Sequence, residues 1–141
     1  LMMYCGEGTR AFCMKLKGDL MRYRAEILEG EERTASIQKA VELYEDALER
    51  ERSFLDNYPT DPLYLATALN YAILKYTVLG NPKGAIKFVK RIIKTAQNSS
   101  SSHDPNSEPL SENSLKLIQI LNDNVACWEE GTSGLLTSAF F

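Results

Sequence analysis

Two Asx-Pro steps, Asp61-Pro62 and Asn81-Pro82, constrain this chain more tightly than any other local feature. Proline inside a helix removes a backbone donor and clashes with the preceding turn, yet it is favoured at the first helical position. An Asp or Asn just before it supplies the capping oxygen. Each step therefore starts a helix, and Gly80 stops the first of these immediately before the second begins. Between the steps, Leu65, Leu69, Ala72, Ile73 and Tyr76 recur at helical spacing as far as Leu79. After Pro82, the residues Ile86, Val89, Ile92, Ile93 and Ala96 fall on one side.

The same signals organise the rest of the chain. A first helix is expected over about 9–29, with Thr9 as N-cap and Gly30 at its end. A second runs over about 34–57, starting at Thr34 or Ser36 and carrying Ile37, Val41, Tyr44, Leu48 and Leu55 in register. The two Asx-Pro helices cover about 62–79 and 82–97. Ser111 caps a fifth over about 111–129, with Ile118, Leu121, Val125 and Trp128 towards the core. Residues 98–110 read as a flexible Ser-rich loop, and residues 131–141, ending in Phe140-Phe141, as a loose tail. No segment keeps a strand period. The expected fold is all-α: one helical domain over 1–141, an antiparallel bundle or array of about five helices with tetratricopeptide-like right-angled hairpins.

Composition narrows the function classes. A chain of 141 residues, 44% hydrophobic and 25% charged, can bury a core. A net charge of −3 argues against a general nucleic-acid or anionic-membrane surface, although a local basic spot remains open. No apolar run approaches the ~20 residues that span a bilayer. Cys5, Cys13 and Cys127 are odd in number, widely spaced and without a CxxC pair, so neither a disulfide framework nor a zinc site is expected. The one histidine, His103, lies in the Ser-rich stretch. No nucleophile–base arrangement, metal-ligand cluster or glycine-rich phosphate loop is present, so the expectation is a protein without catalytic residues, metal or cofactor.

The densest charge pattern lies in the first helix. Lys15, Asp19, Arg22 and Glu26 follow one another at spacings of four, three and four, which places them on one narrow stripe. Two readings are open. The stripe is a solvated face carrying the ion pairs Lys15–Asp19 and Arg22–Glu26. Alternatively Lys15, Arg22 and the adjacent Tyr23 hold a phosphate, to which guanidinium, ammonium and phenol are all suited.

Three separated segments resemble the C-terminal half of the 14-3-3 phosphopeptide-binding proteins. They are the run Phe12–Glu26 containing Lys15-Leu16-Lys17-Gly18-Asp19 and Arg22-Tyr23, the stretch from Asp61-Pro62 through Leu69-Asn70-Tyr71 to Ala85, and Gln119–Asn124 followed by Trp128. The resemblance covers about residues 10–130 and implies site residues. Arg22, Tyr23 and Lys15 match phosphate-binding positions. Asn70 and Asn124 match amides that hydrogen-bond an extended ligand's backbone. Leu69, Ile73, Ile120 and Trp128 match the apolar groove wall.

It also implies a phosphoserine- or phosphothreonine-binding adaptor, cytoplasmic with a nuclear pool also open. Its partners would be phosphorylated protein segments rather than nucleic acid or membrane, and its full-length form dimeric. The family's first four helices, which carry two further phosphate-pocket cations, have no counterpart in this sequence, so the chain is expected to be a fragment with an incomplete pocket. Thr77 stands where the family usually has a glutamate, and Lys116 at a usually apolar position. The apolar residues Cys13, Met14, Met21 and Leu28, lying away from the Phe12, Leu16, Tyr23 and Ile27 side, are expected to form an exposed patch that self-associates or is covered by a separate N-terminal part of the protein. A phosphate-independent helical interaction scaffold is the alternative.

Overall fold

The computed structural model describes residues 6–100 and 109–131 and contains five α-helices: α1 Glu7–Ile27, α2 Gly30–Phe54, α3 Pro62–Thr77, α4 Pro82–Ser100 and α5 Glu112–Glu129. Among the described residues there is no strand, and the all-α array expected from periodicity is what forms. The chain divides into two compact units, Leu1–Tyr58 and Pro59–Phe141. His103 and the Phe140-Phe141 tail lie outside the described residues, as does most of the Ser-rich stretch.

In the first unit, α1 and α2 form an antiparallel hairpin joined by Leu28 and Glu29, with Gly30 opening α2 at φ +66°. The expected caps are displaced. Gly6 and Glu29 occupy the N-cap positions, and neither makes a side-chain cap bond. Thr34 instead turns its hydroxyl back onto the Gly30 carbonyl at 3.3 Å, the usual recourse of a threonine inside a helix. Both helices start early because Glu7, Glu31 and Glu32 suit the positive end of a helix.

The face that α1 buries is not the one its apolar pattern suggested. Ala11, Lys15, Gly18, Asp19, Arg22 and Ala25 are buried, whereas Phe12, Met14, Leu16, Met21, Tyr23 and Leu28 are half-buried and Cys13, Leu20 and Ile27 are exposed. The expected division into a packed side and an exposed patch is therefore corrected: apolar residues of both sets remain accessible, up to 81% for Ile27. Opposite this face, α2 buries Ser36, Ala40, Leu43, Tyr44, Ala47, Leu48 and Glu51. Ala11, Gly18 and Ala25 recur every seven residues and leave room for the facing helix. A Cβ on Gly18 would meet the Tyr44 ring at 3.0–3.2 Å, so this glycine is the recess that seats the ring.

The second unit is built as the Asx-Pro steps dictate. Asp61 Oδ1 accepts from the Leu63 N–H at 2.8 Å, and Asn81 Oδ1 accepts from the Gly84 N–H at 3.0 Å, each with proline as the first helical residue. Gly80, at φ +60°, closes α3. There Leu79 N–H donates to the Leu74 carbonyl, and Asn81 N–H donates to that of Lys75. From Tyr64 to Leu74 every residue of α3 is buried, including the polar Thr67 and Asn70, as befits a predominantly apolar helix. Both α4 and α5 pack against α3 and against each other.

Helix α4 buries Ala85, Val89, Ile92, Ile93 and Ala96, with Ile86 half-buried, and extends three residues further than its expected end. Helix α5 buries Leu117, Leu121, Val125 and Trp128. Ile118 is half-buried, one residue out of the register expected for it. Ser111 caps α5 by accepting from the Ser114 N–H, and the Ser114 hydroxyl donates to the Thr60 carbonyl at 2.6 Å.

Two glycine substitutions in α1 separate propensity from packing. Gly18→Ala is expected to lower unfolding stability by about 1–3 kcal/mol despite its better helix propensity, because the ring it meets is fully buried. Gly8→Ala, whose Cβ would approach nothing closer than Leu55 Cδ2 at 4.0 Å, should be neutral or stabilising by up to ~1 kcal/mol in the same urea titration.

Candidate functional site

Three charged groups of α1 and one phenol of α2 form a buried network. Lys15, Asp19, Arg22 and Tyr44 are at most 6% exposed. The Lys15 ammonium lies 3.0 Å from Asp19 Oδ2. Tyr44 donates its hydroxyl hydrogen to Asp19 Oδ1 and accepts from Arg22 Nε at 3.3 Å. Arg22 Nη2 stands 4.0 Å from the same carboxylate oxygen and has no hydrogen-bond partner among the described residues. The guanidinium also lies over the Tyr23 ring at 4.7 Å, a cation–π distance.

This arrangement corrects the reading of the stripe as a solvated face. Glu26 is exposed, and the Arg22 partners are Tyr44 and Asp19 rather than Glu26. Residues 15, 19 and 22 are buried with the face that α1 turns to α2, whereas Glu26 is exposed.

Electrostatics follow from this burial. Desolvation acts against the Arg22 charge but is outweighed by its neighbours Tyr44, Tyr23 and Asp19, so its pKa is raised. Desolvation and then the Asp19 carboxylate push the Tyr44 hydroxyl far above the ordinary phenol range, with Arg22 opposing. Tyr44 thus remains a neutral donor. One carboxylate bonded to a phenol and an ammonium leaves part of a fixed guanidinium unengaged.

The remaining expected site residues lie in the second unit. Asn70, Leu69 and Ile73 are buried in α3, Asn124 and Trp128 in α5, and Ile120 is half-buried. Asn124 Nδ2 and Trp128 Nε1, four residues apart on α5, are buried donors without a hydrogen-bond partner among the described residues. The indole stacks on Tyr76 with centroids 4.6 Å apart and planes 9° from parallel. Thr77 is exposed, its hydroxyl donating to the Ile73 carbonyl at 2.7 Å. Lys116 is exposed beside Glu112, at 3.7 Å. No group of three or more potential metal ligands occurs among the described residues, and no described helix is long and apolar enough to cross a membrane.

The profile of the family described as "14-3-3 protein" matches residues 2–129. The chain belongs to the 14-3-3 family. It is 31% identical over 126 residues to the 14-3-3 protein zeta of Bombyx mori, covering 89% of this chain and 49% of that protein. To the 14-3-3 protein homolog 2 of Schistosoma mansoni it is also 31% identical, covering 89% and 56%. The crystal structure of a 14-3-3 protein from Cryptosporidium parvum superposes with a TM-score of 0.91 at 65% identity, covering 99% of this chain and 62% of that one. The chain spans about half the length of the curated 14-3-3 relatives it matches.

Sequence reasoning missed Tyr44 as a member of the charged cluster of this 14-3-3 chain, because at helical spacing it passes for a core aromatic. Gly18 was the available signal: a mid-helix glycine beside a charged stripe marks a large side chain arriving from elsewhere. Glu51, buried on α2, gave no sequence signal.

Substitutions in the network should be strongly non-additive. Asp19→Ala removes the carboxylate 3.0 Å from the buried Lys15 ammonium and is expected to cost about 3–5 kcal/mol in urea unfolding. Tyr44→Phe should cost about 1–3 kcal/mol. Replacing both ends of the ion pair, as Lys15→Met with Asp19→Leu, should cost clearly less than the sum of the two single changes.

Proposed function

We propose that this chain is a non-enzymatic adaptor module that recognises phosphoserine- or phosphothreonine-containing protein segments. The observation that carries the proposal is the Arg22 guanidinium, buried and oriented by Tyr44 and Tyr23, with Nη2 unengaged. A phosphate brings close to two negative charges and three acceptor oxygens, which match a guanidinium edge. In this reading Arg22 and Tyr23 hold the phosphate and Lys15 adds positive field while remaining tied to Asp19. The Asn124 amide, with an unmet donor, and the buried Asn70 serve an extended peptide backbone, which offers both donors and acceptors. In the same reading Leu69, Ile73, Ile120 and Trp128 supply an apolar wall for the peptide. Family membership supports the adaptor reading in general.

A phosphate-independent scaffold is the second reading, favoured by the accessible apolar side chains of α1, with Leu20 62% and Ile27 81% exposed.

Fluorescence anisotropy with a labelled phosphoserine peptide and its unphosphorylated twin separates the two. The adaptor reading expects at least about tenfold preference for the phosphorylated peptide, equivalent to one charge-assisted bond. Arg22→Gln should abolish that preference, while Lys17→Gln, on an exposed face, should leave it intact. Equal affinity for the two peptides would assign the chain to the scaffold reading.

A further inference from the structure

Whole-chain charge conceals a strongly basic surface on α4. Between Pro82 and Ser100 there are five cations, Lys83, Lys87, Lys90, Arg91 and Lys94, and no acidic residue. All five are exposed. The four lysines follow spacings of four, three and four, so they occupy an arc of about 60° and extend about 16 Å along the helix. The opposite face is committed to the core through Ala85, Val89, Ile92, Ile93 and Ala96, which fixes the lysine ridge outward. Lys90 pairs with Glu129 at 2.8 Å, whereas Lys83, Lys87, Arg91 and Lys94 have no ion pair with a described residue.

The form of this surface indicates what it fits. It is the convex ridge of a helix, not a cleft. Four of its five cations are lysines, which act as flexible point charges rather than planar forks. The nearest aromatic on the helix, Phe88, is half-buried and set edge-on against Tyr71 with Lys75 above both rings, so it is held among its neighbours rather than among the exposed cations. A linear, convex row of mobile ammonium groups suits an extended plane of diffuse negative charge. We propose that the α4 ridge docks the protein on an anionic phospholipid surface, with Lys83, Lys87, Arg91 and Lys94 as the contacting cations. Because the apolar side of α4 is buried, the attachment is electrostatic and peripheral, without insertion of the helix.

Cosedimentation of the full chain with phosphatidylcholine vesicles, with and without a third of phosphatidylserine, tests this. Each cation near such a surface is worth about a fivefold change in partitioning. Binding to the anionic vesicles should exceed binding to neutral ones by at least about tenfold and should disappear at high salt. The triple variant Lys83→Gln/Lys87→Gln/Lys94→Gln should lose at least about tenfold in partitioning with its circular dichroism unchanged. Lys17→Gln/Arg24→Gln/Lys39→Gln, exposed cations on α1 and α2, should bind as the parent does.

Equal partitioning to neutral and anionic vesicles, or no effect of the α4 substitutions, would overturn the proposal. So would binding of an acidic peptide or a nucleic-acid duplex without vesicle binding.

Discussion

One carboxylate organises the first unit. Asp19 holds the Lys15 ammonium with one oxygen and accepts from the Tyr44 phenol with the other, and Tyr44 in turn accepts from Arg22. Burying these charges is costly, so the geometry has to satisfy them closely. Gly18 makes that possible by admitting the Tyr44 ring against the α1 backbone. The small residues Ala11 and Ala25 sit one heptad to either side of it. Pairing with α2 and the orientation of Arg22 are therefore consequences of a single arrangement. Any disturbance of Tyr44 reaches the proposed phosphate-binding cation.

Two stripes with the same four-three-four spacing meet opposite fates in this chain. On α1 the members are of mixed sign and three of them are buried, where each charge requires a partner. On α4 the members are all cationic and all exposed, where water and counterions solvate them. Spacing alone does not distinguish these outcomes. What decides is the residues that occupy the rest of the helix. The α4 helix has a continuous aliphatic face to bury, and its charges are left outside. The α1 helix places alanine and glycine between its charges, and that mixed face is the one α2 covers.

Legibility followed the same physics. The second unit was readable because proline, Asx and glycine have local backbone requirements that tertiary structure did not override at Asp61, Gly80, Asn81 and Ser111. The starts of α1 and α2 were misplaced because Thr9 and Thr34 are also tolerated inside a helix, and the true first turns carry glutamates instead. The charged stripe is legible in the spacing, but of its two readings the solvated face does not hold, because Lys15, Asp19 and Arg22 are buried. Periodicity counts apolar residues, and here the buried face has few large ones. The candidate amides Asn70 and Asn124 stood out as mid-helix asparagines, and both are buried. Their proposed role toward a peptide rests on the family resemblance, not on spacing.

A spectrophotometric titration of the tyrosines, comparing the parent with Tyr44→Phe, tests the buried network most directly. The hydroxyl of Tyr44 is raised above its ordinary value of 10.0 by desolvation and then by Asp19. Its contribution to stability is therefore fully present below about pH 10 and is lost as pH rises further. With Tyr44 held in the buried network, the two proteins titrate identically through the range where accessible phenols ionise. The extra phenolate of the parent should appear only as the fold is lost. One additional phenolate ionising together with the accessible tyrosines, with the helices intact, would contradict the burial of Tyr44.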